Sequence, residues 1–185
     1  MKKRKAFFIT VEGCEGSGKS SVIKFIQNFL SRGKYKVKTY REPGSTAVGE
    51  KIRKVLLDKN NQNLSPRTEL LLYLAARTQL IETRLKKDLS NYDFIICDRF
   101  FDSTLVYQGY GLGLLSLTKK AIKMFSLGIK PDLTLVLDVP VEKGLGRVKA
   151  ADRIEARSLR FHRRLRQGYS KLARSDPRRV KIIDA

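Results

Sequence analysis

Gly13-Cys14-Glu15-Gly16-Ser17-Gly18-Lys19-Ser20 has glycine, lysine and serine at the spacing of a glycine-rich phosphate-binding loop. It follows Phe7-Phe8-Ile9-Thr10-Val11, a β-branched and aromatic run, and precedes a helix-like run from Ser21 to Leu30. That strand, loop and helix order is the context the motif requires. Glycines let the backbone wrap close to phosphate oxygens, and the helix presents its positive dipole end to the anion. Lys19 then brings a point charge to the outer phosphates of a nucleotide, and the Ser20 hydroxyl offers an oxygen to Mg²⁺. All eight residues are candidates for cofactor binding.

Outward from the loop, short β-rich runs alternate with helical patterns, which predicts an α/β fold with a largely parallel sheet. Strands are expected at 6–12, 36–41, 94–98, 133–138 and 180–184. Helices are expected at 19–32, 47–57, 66–90, 103–108, 117–127, 141–148 and 154–174. No repeat or low-complexity linker divides the chain, so one domain over 1–185 is expected.

A chain of 185 residues can bury one substantial core. No apolar run approaches the ~20 residues needed to span a bilayer. The basic opening Met1 to Lys5 leads into an apolar run that ends at Glu12, so it reads as a solvated tail before the first strand, in a cytoplasmic protein. Cys14 and Cys97 lack zinc-ligand spacing and are expected to be free thiols near the site. The single histidine, His162, lies among Arg160, Arg163 and Arg164, where an exposed or half-exposed ring is expected. The net charge of +21 raises a nucleic-acid reading, with Arg147 to Lys181 especially basic, but no aromatic-interleaved recognition motif accompanies it. An anionic nucleotide accounts for part of that charge.

Further candidates lie beyond the loop. Arg41-Glu42-Pro43-Gly44-Ser45-Thr46 is a turn at the sheet edge, and Arg53, about two helical turns into the next helix, either reaches a phosphate or is solvated. Tyr73 and Arg77 share one helix face as a base-and-phosphate pair or as packing. Asp98 ends a buried-type strand where a carboxylate holds Mg²⁺ or orients the loop, and Arg99 follows as a phosphoryl clamp. Thr104 and Gln108 are spaced to read a base edge. Arg147, Lys149 and Arg153 form a basic lid at about 147–155, in which Asp152 and Glu155 also have capping-box spacing. No Asn-Lys-x-Asp base-reading motif is present, which argues against a GTPase switch.

Taken together, these residues resemble the thymidylate kinase (dTMP kinase) family, of the bacterial type with a basic lid. The resemblance runs through Val11 to Ser20, Arg41 to Thr46, Ala75 to Gln79, Asp98-Arg99, Ser103-Thr104, Tyr107 to Gly109, Pro131 to Leu135, Leu137 to Pro140 and Asp152 to Glu155. It implies a P-loop nucleoside monophosphate kinase-like fold, three-layer α/β/α with a five-stranded parallel sheet. It implies transfer of the γ-phosphoryl group of ATP to dTMP with Mg²⁺, giving dTDP. In that pattern Lys19, Arg99, Arg147 and Arg153 are catalytic, and Ser20 and Asp98 hold the metal. Tyr73, Thr104 and Gln108 take the base, Arg53, Arg77 and Arg99 the acceptor phosphate, and Glu15 the sugar 3′-hydroxyl. The resemblance also implies a homodimer, with no membrane and no specific nucleic-acid partner.

The chain departs from the family in a shorter lid with Lys149 in place of an arginine, in tyrosine rather than phenylalanine at 73, and in ending after the last strand where a final helix is expected. The rival readings are another nucleotide or nucleoside kinase of this fold, and a basic nucleic-acid-binding protein that has lost catalysis.

Overall fold

In the computed structural model, which describes residues 6–148 and 152–185, five strands form one sheet. They are β1 (Phe7–Gly13), β2 (Val37–Arg41), β3 (Phe94–Asp98), β4 (Leu133–Asp138) and β5 (Val180–Asp184). All pairings are parallel and the order is β2-β3-β1-β4-β5. The sheet and its flanking helices make the α/β fold expected. The chain leaves β1 for β2 on one side and later reaches β4 on the other, so the crevice beyond β1 and β3 is the topological switch point where ligands of open α/β sheets bind.

Alternation along β1 sends Phe8, Thr10 and Glu12 to one face and Ile9 and Val11 to the other. On the second face, α1 (Lys19–Arg32) lays Val22, Ile23, Ile26 and Leu30 over Val11, Ile96 and Leu137. On the first, α3 (Pro66–Leu80) contributes Leu80 to a core with Phe8, Ile95 and Phe100, and α8 (Leu159–Ser175) contributes Phe161, Leu165 and Tyr169 to a core with Val136 and Val180. Outside these, α2 (Ala47–Leu57) and α6 (Leu115–Phe125) both pack on α3.

The helix expected over 66–90 is interrupted. After α3 comes a π-helical turn, Ile81–Leu85, and then α4 (Lys86–Asp88). The wider turn keeps Leu80, Ile81 and Leu85 all inside, which an apolar count by α-helical period does not reveal. The helix expected over 103–108 is α5 (Phe101–Thr104) running into a π-helical segment, Leu105–Gly111. That segment packs tightly on α8: a Cβ on Gly111 would lie 2.7 Å from the Phe161 ring. The lid-side helix starts later than 154. Asp152 and Glu155 do exchange capping bonds (Asp152 N to Glu155 Oε2 2.8 Å, Glu155 N to Asp152 Oδ1 2.9 Å), but these close a separate turn. The cap of α8 is Ser158, whose side chain accepts from Phe161 N. The remaining short helix, α7 (Val141–Gly146), ends before 148. The expected basic tail and Lys149 lie outside the described residues.

One buried network ties the sheet to its helices. Asp102, at 0% exposure, accepts from Thr134 Oγ1 (2.9 Å) and Arg179 Nη2 (3.0 Å), and Thr134 Oγ1 is 2.9 Å from Thr10 Oγ1. Asp102→Ala would remove the buried partner of the Arg179 guanidinium and leave it only the partly exposed Asp176 (Nε to Oδ2 2.8 Å), so a loss of up to about 3–5 kcal/mol of unfolding free energy is expected in urea titration. A loss below about 1 kcal/mol would contradict this account.

Candidate active site

The phosphate loop leaves β1 at Gly13 and enters α1 at Lys19. Gly16 holds φ +67°, and a Cβ there would lie 1.9 Å from Gly144 O, while one on Gly144 would lie 2.5 Å from Glu15 O. The loop is therefore seated against α7 by two glycines, one of them 128 residues downstream (144 minus 16). Lys19 Nζ donates to Gly13 O (3.2 Å) and Cys14 O (2.9 Å). Burial, and then the nearby Arg99 charge, lower its pKa to about 8. Arg147 Nη1 reaches Gly16 O at 3.2 Å from the solvent side.

Beside the loop is a cleft of ≈ 340 Å³ lined by Glu15, Lys19, Ser20, Arg53, Tyr73, Arg77, Asp98, Arg99, Thr104 and Gln108. Elements far apart in sequence thus bring together every residue expected to touch the acceptor nucleotide. Arg147 and Arg153 are not among the lining residues.

Arg99 sits just past β3 with φ 67°, a conformation that turns the chain sharply as it leaves the sheet. Its Nη1 donates to Gly13 O (2.9 Å) and Ser103 Oγ (3.1 Å), its Nη2 lies 3.4 Å from Glu15 Oε1, and its guanidinium lies 5.0 Å from the Tyr107 ring centre. Glu15 is buried, and Tyr107 OH donates to it at 2.5 Å. Burial raises its pKa, but the neighbouring His162 ring, the Arg99 charge and the Tyr107 bond outweigh burial and bring it down to about 2.

His162 was expected at the surface and is instead 1% exposed, with Nδ1 3.3 Å from Glu15 Oε2 and Nε2 3.3 Å from Glu155 O. The amphipathic pattern of α8 puts position 162 on its inner face, beside Phe161 and Leu165, which its arginine neighbours in sequence conceal. Beneath the loop, Glu12 accepts from Phe100 N (2.7 Å), Tyr169 OH (3.1 Å) and Ser103 Oγ. Burial, and then Asp102, raise its pKa to about 7.

The other wall is built on buried arginines. Arg77 is 1% exposed, pairs with Glu42 at 2.6 Å, donates to Thr104 Oγ1 at 2.8 Å and lies 5.2 Å from the Phe100 ring centre. It therefore stands beside Thr104 in the wall of the cleft. Arg53 Nη1 donates to Pro43 O at 3.0 Å, across the turn that carries the cis Glu42-Pro43 bond. Gln108 Nε2 donates to Glu69 Oε1 at 2.8 Å. Arg153, expected in the lid over the nucleotide, donates here to Leu56 O (2.7 Å) and to Oε2 of the fully buried Glu69 on α3 (2.8 Å).

Asp98 Oδ1 is buried with no hydrogen-bond partner, and the Ser20 hydroxyl lines the same cleft. Oxygen-only donors of this kind fit Mg²⁺. Among the described residues no cluster of three His, Cys, Asp or Glu can hold a metal, so phosphate oxygens and water must complete its shell. Both cysteines are free and buried, and burial, then Glu15, push the Cys14 thiol up to about 12, which makes it unreactive.

Glu12, Glu42, Glu69, Tyr107, His162 and Tyr169 received no role from the sequence. A usable signal existed for one class of them: an arginine within an apolar helix stripe, as Arg77 is, needs a buried carboxylate somewhere.

Comparison with known proteins agrees with this geometry. The family model described as thymidylate kinase matches residues 11–185. A thymidylate kinase of Thermoanaerobacter sp. (strain X514) is 42% identical over 183 residues, covering 97% of this chain and 90% of the relative. That of Carboxydothermus hydrogenoformans is 44% identical over 181 residues, covering 96% and 88%. A solved thymidylate kinase structure from Ehrlichia chaffeensis superposes with a TM-score of 0.81 at 32% identity, covering 97% and 93%. The chain belongs to the thymidylate kinase family of ATP- and Mg²⁺-dependent phosphotransferases.

Proposed function

We infer that this protein transfers the γ-phosphoryl group of ATP to dTMP, giving dTDP. The observation that carries this reading is the single cleft in which Lys19, Arg53, Arg77 and Arg99 stand with Tyr73, Thr104 and Gln108. Two polyanions can be held there with a base recognised beside them.

Phosphoryl transfer requires little covalent chemistry from the protein. The reactants must be held in line, their charge neutralised and water kept out. The loop backbone and Lys19 hold the donor phosphates, and Arg147 adds charge from the lid side. Arg53 and Arg99 take the acceptor phosphate, Tyr73 stacks on the base, and Arg77 with Thr104 and Gln108 faces its edge. Glu15, kept ionised by its partners, accepts from the sugar 3′-hydroxyl. Arg153 acts by bracing the lid segment against α3. When bound, Mg²⁺ at Ser20 and Asp98 supplies charge neutralisation of the phosphates.

The protein is read as cytoplasmic; no described helix is long and apolar enough to cross a membrane. It is also read as a homodimer. Val48 on α2, Leu71 on α3 and Met124 on α6 are 48%, 60% and 68% exposed on helices that pack side by side, an apolar surface suited to a second copy.

The direct test is a coupled assay with ATP and a panel of dTMP, dUMP, dCMP and thymidine: turnover with dTMP is expected, and its absence would refute the reading. Arg99→Ala is expected to raise the barrier by about 2–4 kcal/mol, read as a fall in kcat, by analogy with loss of a transition-state donor. Near-normal turnover would remove Arg99 from the clamp. Sedimentation should show dimers that Leu71→Glu with Met124→Glu converts to monomers; a monomeric parent protein would rule the interface out.

A further inference from the structure

Thr104 and Gln108 are uncharged groups that line the cleft, and each can in principle donate or accept. Their neighbours remove that freedom. Glu69 on α3 is 0% exposed, and its carboxylate lies between guanidinium groups: Oε2 accepts from Arg153 Nη2 (2.8 Å) and Arg157 Nη2 (2.6 Å). A carboxylate so held can only accept, so the Gln108 amide must turn its NH₂ to Glu69 Oε1, at 2.8 Å, and leave its carbonyl oxygen for the cleft. Reversing the amide would set two acceptor oxygens against each other at a site where Gln108 is itself 1% exposed. Arg77 imposes the opposite polarity on Thr104. A guanidinium has no acceptor, so Thr104 Oγ1 takes its hydrogen bond at 2.8 Å and keeps its own proton to donate.

We propose that Glu69 is a positioning residue that sets the hydrogen-bond polarity with which this site reads the thymine of dTMP. Through Gln108 it places an acceptor beside the Thr104 donor. A thymine or uracil ring, with an N–H next to a carbonyl, complements that pair. Cytosine, with an amino group next to a bare ring nitrogen, opposes it at both points. The 5-methyl group is not read by this pair. Glu69, Tyr73 and Arg77 follow at four-residue intervals on α3, so one helix face carries both polarity-setting charges with the aromatic ring between them. A glutamine at 69 would also satisfy Gln108, but in either orientation, which gives the buried charge a purpose that its desolvation cost otherwise lacks.

The proposal rests on the phosphotransfer reading above, and the assay separates the two. Initial rates with ATP are measured on wild-type protein and Glu69→Gln with dTMP, dCMP and N3-methyl-dTMP. Wild-type kcat/KM is expected to favour dTMP over both others by at least roughly a hundredfold, because a site built to pair with a ring N–H rejects analogues that lack it. In Glu69→Gln the dTMP to dCMP ratio is expected to narrow at least about tenfold, through the KM for the monophosphates rather than for ATP. Comparing two substrates on one protein cancels any loss of folded material. If Glu69→Gln fails to fold in a melting experiment, Glu69→Asp and Gln108→Leu carry the test: the first keeps an acceptor-only group and the ratio, and the second collapses the ratio. A ratio within about twofold of wild type in Glu69→Gln or Gln108→Leu overturns the proposal, as does collapse of the ratio in Glu69→Asp or equal use of dTMP and N3-methyl-dTMP by wild type. Failure to phosphorylate dTMP at all overturns the functional reading itself.

Discussion

A guanidinium stays charged in any protein interior, so each arginine this fold encloses must meet a carboxylate there. Arg77 meets Glu42, Arg153 and Arg157 meet Glu69, Arg179 meets Asp102, and Arg99 meets Glu15. These pairs join distant parts of the chain: β2's trailing turn to α3, the lid segment to α3, the start of β5 to α5, and β3's exit to the phosphate loop. They add little or no stability beyond what apolar packing would give in the same places. Their effect is to fix where cationic tips stand around a cleft that must accept two anions. The described cationic side chains are thus of two kinds, a few buried against carboxylates and a larger number on solvated surface.

The two carboxylates nearest the start of the phosphate loop are shifted in opposite directions. Glu12 and Glu15 are three residues apart and both buried, yet Glu12 is raised to about 7 and Glu15 lowered to about 2. Glu12 points into the sheet-to-helix interior, where burial and the neighbouring Asp102 dominate. Glu15 stands within the loop, where Arg99, Lys19, His162 and Tyr107 more than offset its burial. A carboxylate that stays ionised beside a phosphate-binding loop needs cations near it, and the Arg99 guanidinium lies 3.4 Å from Glu15.

The phosphate loop, the five parallel strands and the line of cleft residues from Arg53 to Gln108 were legible in the sequence because each has a local signature: a motif, an apolar run, or polar residues spaced on one helix face. Helix irregularities were not. The π-helical turns at Ile81–Leu85 and Leu105–Gly111 arise because tight packing on neighbouring elements outweighs the regular period, and no count along the chain contains those neighbours.

The same division runs through the site. Chain order alone determined that a phosphate-cradling loop would stand at the end of a β-strand with a lysine and a hydroxyl behind it, since those constraints act among residues close in sequence. Tertiary structure alone decided that His162 is buried against Glu15, that Arg153 pairs with Glu69, and that Gln108 has one amide orientation. The reason is that a charged or polar group's role depends on which opposite group shares its low-dielectric surroundings, and that partner is supplied by the fold.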